Sequence, residues 1–369
     1  MAAPRYFLDE EPALEALLDG FLSRLSKDLR AQAWSEGATL VLGGGYGRGE
    51  GGVFRAGDGA APTLYNDLEF YLFFERPIPA EAKDWVARWE REGTVEIGIE
   101  VEFKLLAASA LQATEPTMFF HDLLAGHRLV AGSQRLLASA PERMRDAAAL
   151  PLEEANRLLF NRGSGLLFAR WRLEEGGAAE AGFVERNHAK AKLSLADAVL
   201  AASGRHHPSV VERARRVQAG GFPTPAGWAR LQAWHREGVD FKLRPRHRRS
   251  DPAALVAVGR ELEAAWLEVF LWVEEKRLGR TFASPAAYSE AGLRLFPRSS
   301  APKNLALHLR DRLRRGGALP GWTDYPRAAL LRCLVCLLAG GGAEAAGRRL
   351  GVSEDLLRSA YRRWWGLYN

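Results

Sequence analysis

From Glu11 to Leu29, apolar residues fall at Leu14, Leu17, Leu18, Phe21, Leu22, Leu25 and Leu29, the spacing of one helix face. The period then shortens. Thr39–Leu42 is an apolar run that stops in a glycine-dense turn, Gly43 to Gly52, and Asp67 to Phe74 opens with acid and apolar residues in alternation; both runs predict strands. Pro79 to Glu92 predicts a second helix, with Trp85 and Trp89 four apart and Gly93 as its stop. Thr94 to Leu106 alternates again and predicts a third strand. Its apolar face carries Val95, Ile97, Ile99, Val101 and Phe103; Glu96, Gly98, Glu100, Glu102 and Lys104 lie opposite. Thr117 to Leu137 reads as a helix stopped at Gly126, a short extended piece, and a turn at Gly132. Beyond Pro151 only helical periodicity remains, over Leu152–Glu175, Asn187–Ser203, Pro252–Gly279 and Ala345–Trp365, where Ser353 is the expected start of the last helix. The expected fold is α+β: a small mixed β-sheet flanked by helices over residues 1–140, then an all-helical domain over residues 141–369.

Candidate chemistry concentrates between Leu40 and Phe74. Glycines at Gly43–Gly52 let the backbone turn sharply and bring bare N–H groups to an anion. Asp67 and Glu69, two apart on a strand, send both carboxylates from one face. Amide donors for phosphate beside paired acids for a divalent metal make a phosphoryl- or nucleotidyl-transfer site.

The run Gly44-Gly45-Tyr46-Gly47-Arg48-Gly49-Glu50, followed by Asn66-Asp67-Leu68-Glu69, resembles the signature of the polymerase-beta-type nucleotidyltransferase superfamily. Gly45 stands where the family's serine is usual, Asn66-Asp67 replaces Ser-Asp, and the segment Gly51 to Leu64 lengthens the gap. The resemblance implies a catalytic domain over residues 1–140 that moves an NMP from an NTP, with ATP the expected one, to an acceptor hydroxyl or amine. It implies two Mg²⁺ ions held by Asp67, Glu69 and a third acid on the next strand, with Glu100 as first choice and Glu102 in reserve. Gly44, Gly45, Tyr46 and Arg48 would hold the phosphates. Arg162 and Lys190, from the helical domain, would close over the triphosphate. A solvated strand face explains the scattered glutamates as well, and interhelical charge explains Arg162 and Lys190 as well.

Composition and charge change the picture less. Residues 1–150 hold 15 Lys and Arg against 23 Asp and Glu, and the remainder holds 36 against 22, so an acidic half precedes a basic one. That asymmetry suits a metal-nucleotide and an anionic partner; an arginine-rich composition on solvated helices explains it equally. Cys333 and Cys336 sit in an apolar run and read as buried helix residues rather than metal ligands. No secretory leader and no apolar run long enough to span a bilayer is present, so a cytoplasmic protein without a membrane partner is expected. The acceptor is left open among small molecule, RNA and protein. Leu243 to Pro252 is the most basic run and reads as a solvated linker ahead of a nucleic-acid grip. Arg230 and His235 have the spacing of HEPN-type ribonucleases, a match that chance explains in a chain this rich in arginine. His121 and His127 stand alone and read as helix-surface or core-edge residues rather than catalytic bases. Two rivals remain: a catalytically inert or antitoxin-like module on the same fold, and a nucleic-acid binder using the basic half.

Overall fold

A computed structural model describes residues 6–57, 59–112, 115–246, 251–315 and 319–369. The chain is α+β, with a small mixed sheet towards its start and helices alone towards its end. It divides into two units: Met1–Pro151 with Ser203–Phe222 and Arg236–His247, and Leu152–Ala202 with Pro223–His235 and Arg248–Asn369. None of the described helices is long and apolar enough to cross a membrane.

In the first unit, α1 (Pro12–Arg30) leads to β1 (Ala38–Leu42), the short turn helix α2 (Gly44–Gly47) and the hairpin of β2 (Gly52–Phe54) with β3 (Thr63–Tyr65). Then follow β4 (Leu68–Phe74), α3 (Ala80–Ile97), β5 (Val101–Ala107), α4 (Met118–Ala125), β6 (Arg128–Ala131) and α5 (Gln134–Ala138). The main sheet runs β5-β4-β1-β6, with β4 and β5 parallel and both other pairs antiparallel. One face carries Leu40, Leu42, Phe70, Leu72 and Phe103 against Leu18, Phe21 and Leu25 of α1 and Trp85 and Trp89 of α3. The other face carries Val41, Tyr71 and Phe73 against Phe120, Leu123 and Leu124 of α4. Because both faces are covered, β4 is buried along nearly its whole length, which is why LEFYLFF alternates only at its first residues.

The third strand is shorter than its alternation predicts. Thr94–Ile97 belongs to α3, which runs through Gly93 and stops at Gly98 in a left-handed conformation (φ +78°). Gly93 is not a stop; it lets the helix approach Phe21, whose ring would lie 3.1 Å from a Cβ there. Val95, expected on the apolar face of a strand, is 82% exposed on the helix. From Val101 onward the expected alternation is the one found, with Val101 and Phe103 in the core. As the sheet edge, β5 has N–H groups taken by α3: Val101 donates to Thr94 Oγ1 (3.0 Å) and Phe103 to Glu90 Oε1 (2.9 Å).

The helical unit is built from α6 (Leu152–Gly176), α7 (Ala181–Ala202), α10 (Pro252–Leu278), α11 (Pro285–Glu290), α12 (Ala301–Arg315), α13 (Arg327–Leu338), α14 (Ala343–Leu350) and α15 (Leu357–Tyr368); α8 (Val210–Ala219) lies in the first unit, and α9 is Trp228–Leu243. Cys333 and Cys336 are free thiols buried on α13. The last two helices form a packed hairpin around Gly351, burying Leu357, Tyr361 and Trp364. Ser353 does not start α15; that helix begins four residues later, with Leu356 at its cap.

Candidate active site

The antiparallel β1–β4 pair and the parallel β4–β5 pair bring three chain segments to one end of the sheet. These are the turn that leaves β1, the start of β4 and the start of β5. The Gly43 N–H donates to the Glu69 carbonyl (2.8 Å), which ties the glycine turn to β4. Gly44 follows at φ +60°, which favours glycine, and a Cβ there would lie 2.7 Å from Glu69 Oε2. Asn66, also at positive φ (73°), swings the chain into β4 just ahead of Asp67.

Glu69 pairs with Glu102 in register across β4 and β5, while the Leu68 N–H donates to the Glu100 carbonyl (2.8 Å). Leu68, Phe70, Val101 and Phe103 enter the core, so Glu69 and Glu102 share the opposite face. Asp67, Glu69 and Glu102 are half-buried and Glu100 is exposed. Burial pushes the Glu102 carboxyl up, and the charges of Asp67 and Glu100 push it further; Lys104 opposes them and Glu69 adds to them. Tyr71 donates to Glu69 Oε2 (3.1 Å), and burial followed by that carboxylate holds its phenol well above the usual range. Lys104 Nζ sits 5.8 Å over the Tyr71 ring.

The remaining residues of the glycine motif serve two purposes. Tyr46 is buried, its hydroxyl donating to Tyr65 O (2.8 Å) and accepting from Tyr65 N (3.0 Å), so it fastens the β2–β3 hairpin to the turn. The Gly47 N–H closes the turn onto Gly43 O (2.8 Å) and is not offered outward. Arg48 packs its aliphatic stem over Gly126, and its charge reaches both Tyr71 and Asp122. Glu50, buried at the motif's end, accepts from Ser209 Oγ (2.5 Å), Val210 N (2.9 Å) and Val211 N (3.3 Å), capping α8. Sequence reasoning missed that role, because the partner lies about 160 residues away.

Asp122 and His206 form a pair that the sequence did not announce. His206 is buried, with Nε2 2.8 Å from Asp122 Oδ1. Burial pushes Asp122 up, but the His206 bond and charge outweigh it and leave the carboxyl below its usual range. His121 is also buried, its imidazole pushed down by burial. His127 bonds Leu123 O (2.8 Å) and Gln134 (3.0 Å), local contacts at the end of α4.

Arg162 and Lys190 belong to the helical unit, on α6 and α7. Burial pulls the Arg162 guanidinium down, and Asp197 partly restores it. Asp197 in turn meets His235 Nε2 (3.0 Å), and His235 is fully buried. Arg230 instead pairs with Glu268 (3.1 Å) at the surface, so the ribonuclease spacing is met by one packed and one solvated residue. The basic run Leu243–Pro252 falls partly outside the described residues. A cavity of about 1160 Å³ opens in the helical unit, lined in part by Leu166, Arg170, His188, Leu255 and Glu263.

A hard divalent cation takes carboxylate oxygens, the donor type found at Asp67, Glu69 and Glu102. Burial, then repulsion by Asp67 and Glu100, raises Glu102, and such a cation would offset that repulsion. Among the described residues, no three His, Cys, Asp or Glu are gathered closely enough to hold an ion as they stand. Neither the known protein-family models nor the curated proteins contain a match to this chain.

Proposed function

We propose that the first unit transfers an NMP from an NTP to an acceptor hydroxyl or amine, as its resemblance to polymerase-beta-type nucleotidyltransferases implies. The observation that carries this reading is the in-register Glu69–Glu102 pair, with Asp67 just before it and the bare backbone of Gly44 against Glu69. Asp67, Glu69 and Glu102 are the residues that would hold Mg²⁺, and Glu102 replaces Glu100 as first choice because it faces Glu69 directly and is half-buried. When bound, Mg²⁺ supplies positive charge against the developing negative charge on the transferred phosphorus oxygens. Gly44 and Gly45, the glycines of the turn, are the residues whose main chain would meet the phosphates. Arg48, with its stem fixed by Gly126, places a cation at the same end of the sheet.

The reaction forms a bond from the acceptor oxygen or nitrogen to the NTP α-phosphorus and breaks the α–β bridge, releasing pyrophosphate. Incubating the full chain with each α-labelled NTP and Mg²⁺, without and with candidate small-molecule, RNA and protein acceptors, tests it. Transfer of label with release of pyrophosphate supports the reading. Absence of both, with no NTP binding, favours the inert module on the same fold.

A further inference from the structure

Helix α12 is turned inside out. Its buried face is polar: Asn304, His308 and Asp311 are each no more than 2% exposed. Their partners fix that orientation. Asn304 Nδ2 donates to Ser299 Oγ (2.8 Å) and Thr323 O (3.1 Å), His308 Nε2 meets Asp324 O (3.2 Å), and Asp311 accepts from the Tyr368 hydroxyl. The outward face carries Leu305, Leu309 and Leu313, at i, i+4 and i+8, exposed by 40%, 43% and 85%. Scattered exposed leucines need no explanation; three in one row on a helix whose polar side is locked inward do.

Charge indicates what covers them. Along the helix, Lys303, Arg314 and Arg310, the last paired with Asp311 (3.1 Å), fall on one flank of the leucine row and Arg312, over the Trp322 ring, on the other, all exposed. The sole acid of α12, Asp311, is buried. We propose that this face of α12 docks on an anionic lipid surface, its leucines entering the acyl boundary and its flanking cations meeting lipid phosphates. A second copy meeting it through the same face would set these cations against their own kind. A nucleic acid would satisfy the cations and leave the leucines with nothing to gain. Attachment of this kind needs no spanning helix.

The test is sedimentation of the full chain with vesicles of phosphatidylcholine alone, and with vesicles of equal parts phosphatidylcholine and phosphatidylserine. The expected result is pelleting with the anionic vesicles only, weakened by added salt. Leu309→Gln with Leu313→Gln should lower the partition coefficient by roughly tenfold or more, with an unchanged melting temperature because both side chains are already exposed. Failure to pellet overturns the proposal. So does pelleting that the leucine changes leave intact, which assigns the surface to charge alone. A dimer in light scattering that the same changes disperse assigns the row to a second copy instead.

Discussion

Glu69 and Glu102 stand opposite one another in register on the parallel pair of β4 and β5, with Gly44 packed against the Glu69 carboxylate. Two acids on one sheet face, with Asp67 and Glu100 near enough to push Glu102 up, repel one another unless a cation or a proton intervenes. That repulsion costs stability rather than adding to it.

The two candidate third acids therefore separate by substitution. Glu102→Gln removes a half-buried charge facing Glu69, and should abolish nucleotidyl transfer by roughly a hundredfold or more while holding or raising the melting temperature. Glu100→Gln, on an exposed side chain ahead of the strand, should cost less than about tenfold. Rate assays on both variants decide it; the reverse ranking would return Glu100 to the site.

The glycine turn should tolerate no side chain at Gly45. A Cβ there would lie 2.9 Å from the Glu50 carbonyl oxygen, a main-chain atom that cannot step aside. Gly45→Val should lower stability by roughly 1–3 kcal/mol through overpacking and weaken NTP binding. Gly57→Ala is the control, since a Cβ there meets nothing within 4 Å among the described residues. Equal NTP affinity in Gly45→Val and the parent would place the phosphates elsewhere.

Stability should respond to pH through two buried groups of the helical unit. Burial raises the Glu263 carboxyl from 4.5 to about 7 despite Arg170, so its contribution is full below pH 4.5 and lost as pH rises through 7. Burial, then Lys192, lowers His188 from 6.5 to about 4, so its contribution is full above pH 6.5 and lost as pH falls through 4. Between 4.5 and 6.5 the two slopes oppose. Each amounts to about 3 kcal/mol at full extent. Urea unfolding across this range should show stability rising with pH in Glu263→Gln and falling with pH in His188→Gln. Parallel slopes in the two variants would contradict the assignment.

Much of the sheet was legible in advance because periodicity reports burial directly. The α1 stripe (apart from Leu17, which is 38% exposed), the apolar β1 and the acid-apolar start of β4 all follow from which face meets the core. The α3–β5 boundary was not, since Thr94–Ile97 satisfies a strand's alternation and a helix's spacing at once. The continuing row Trp85, Trp89, Gly93, Ile97 was the signal for helix, hidden by reading Gly93 as a stop. Glu50 and Asp122 were illegible for another reason. Their partners, Ser209 with Val210 and His206, come from a distant excursion of the chain, and no local pattern announces such a contact. The outward leucines of α12 reverse the usual inference, since its periodicity is clear while its polar face is the buried one.

The most direct test of the central claim is pyrophosphate release from NTP and Mg²⁺, measured for the parent chain and for Asp67→Asn beside their melting temperatures. The substitution is nearly isosteric and removes one negative charge from a repelling cluster. The expected result is a rate lower by roughly a thousandfold or more, with an equal or higher melting temperature and loss of the stabilisation that Mg²⁺ confers on the parent. Asp67→Asn melting far below the parent, or releasing pyrophosphate at the parent's rate, would contradict the account.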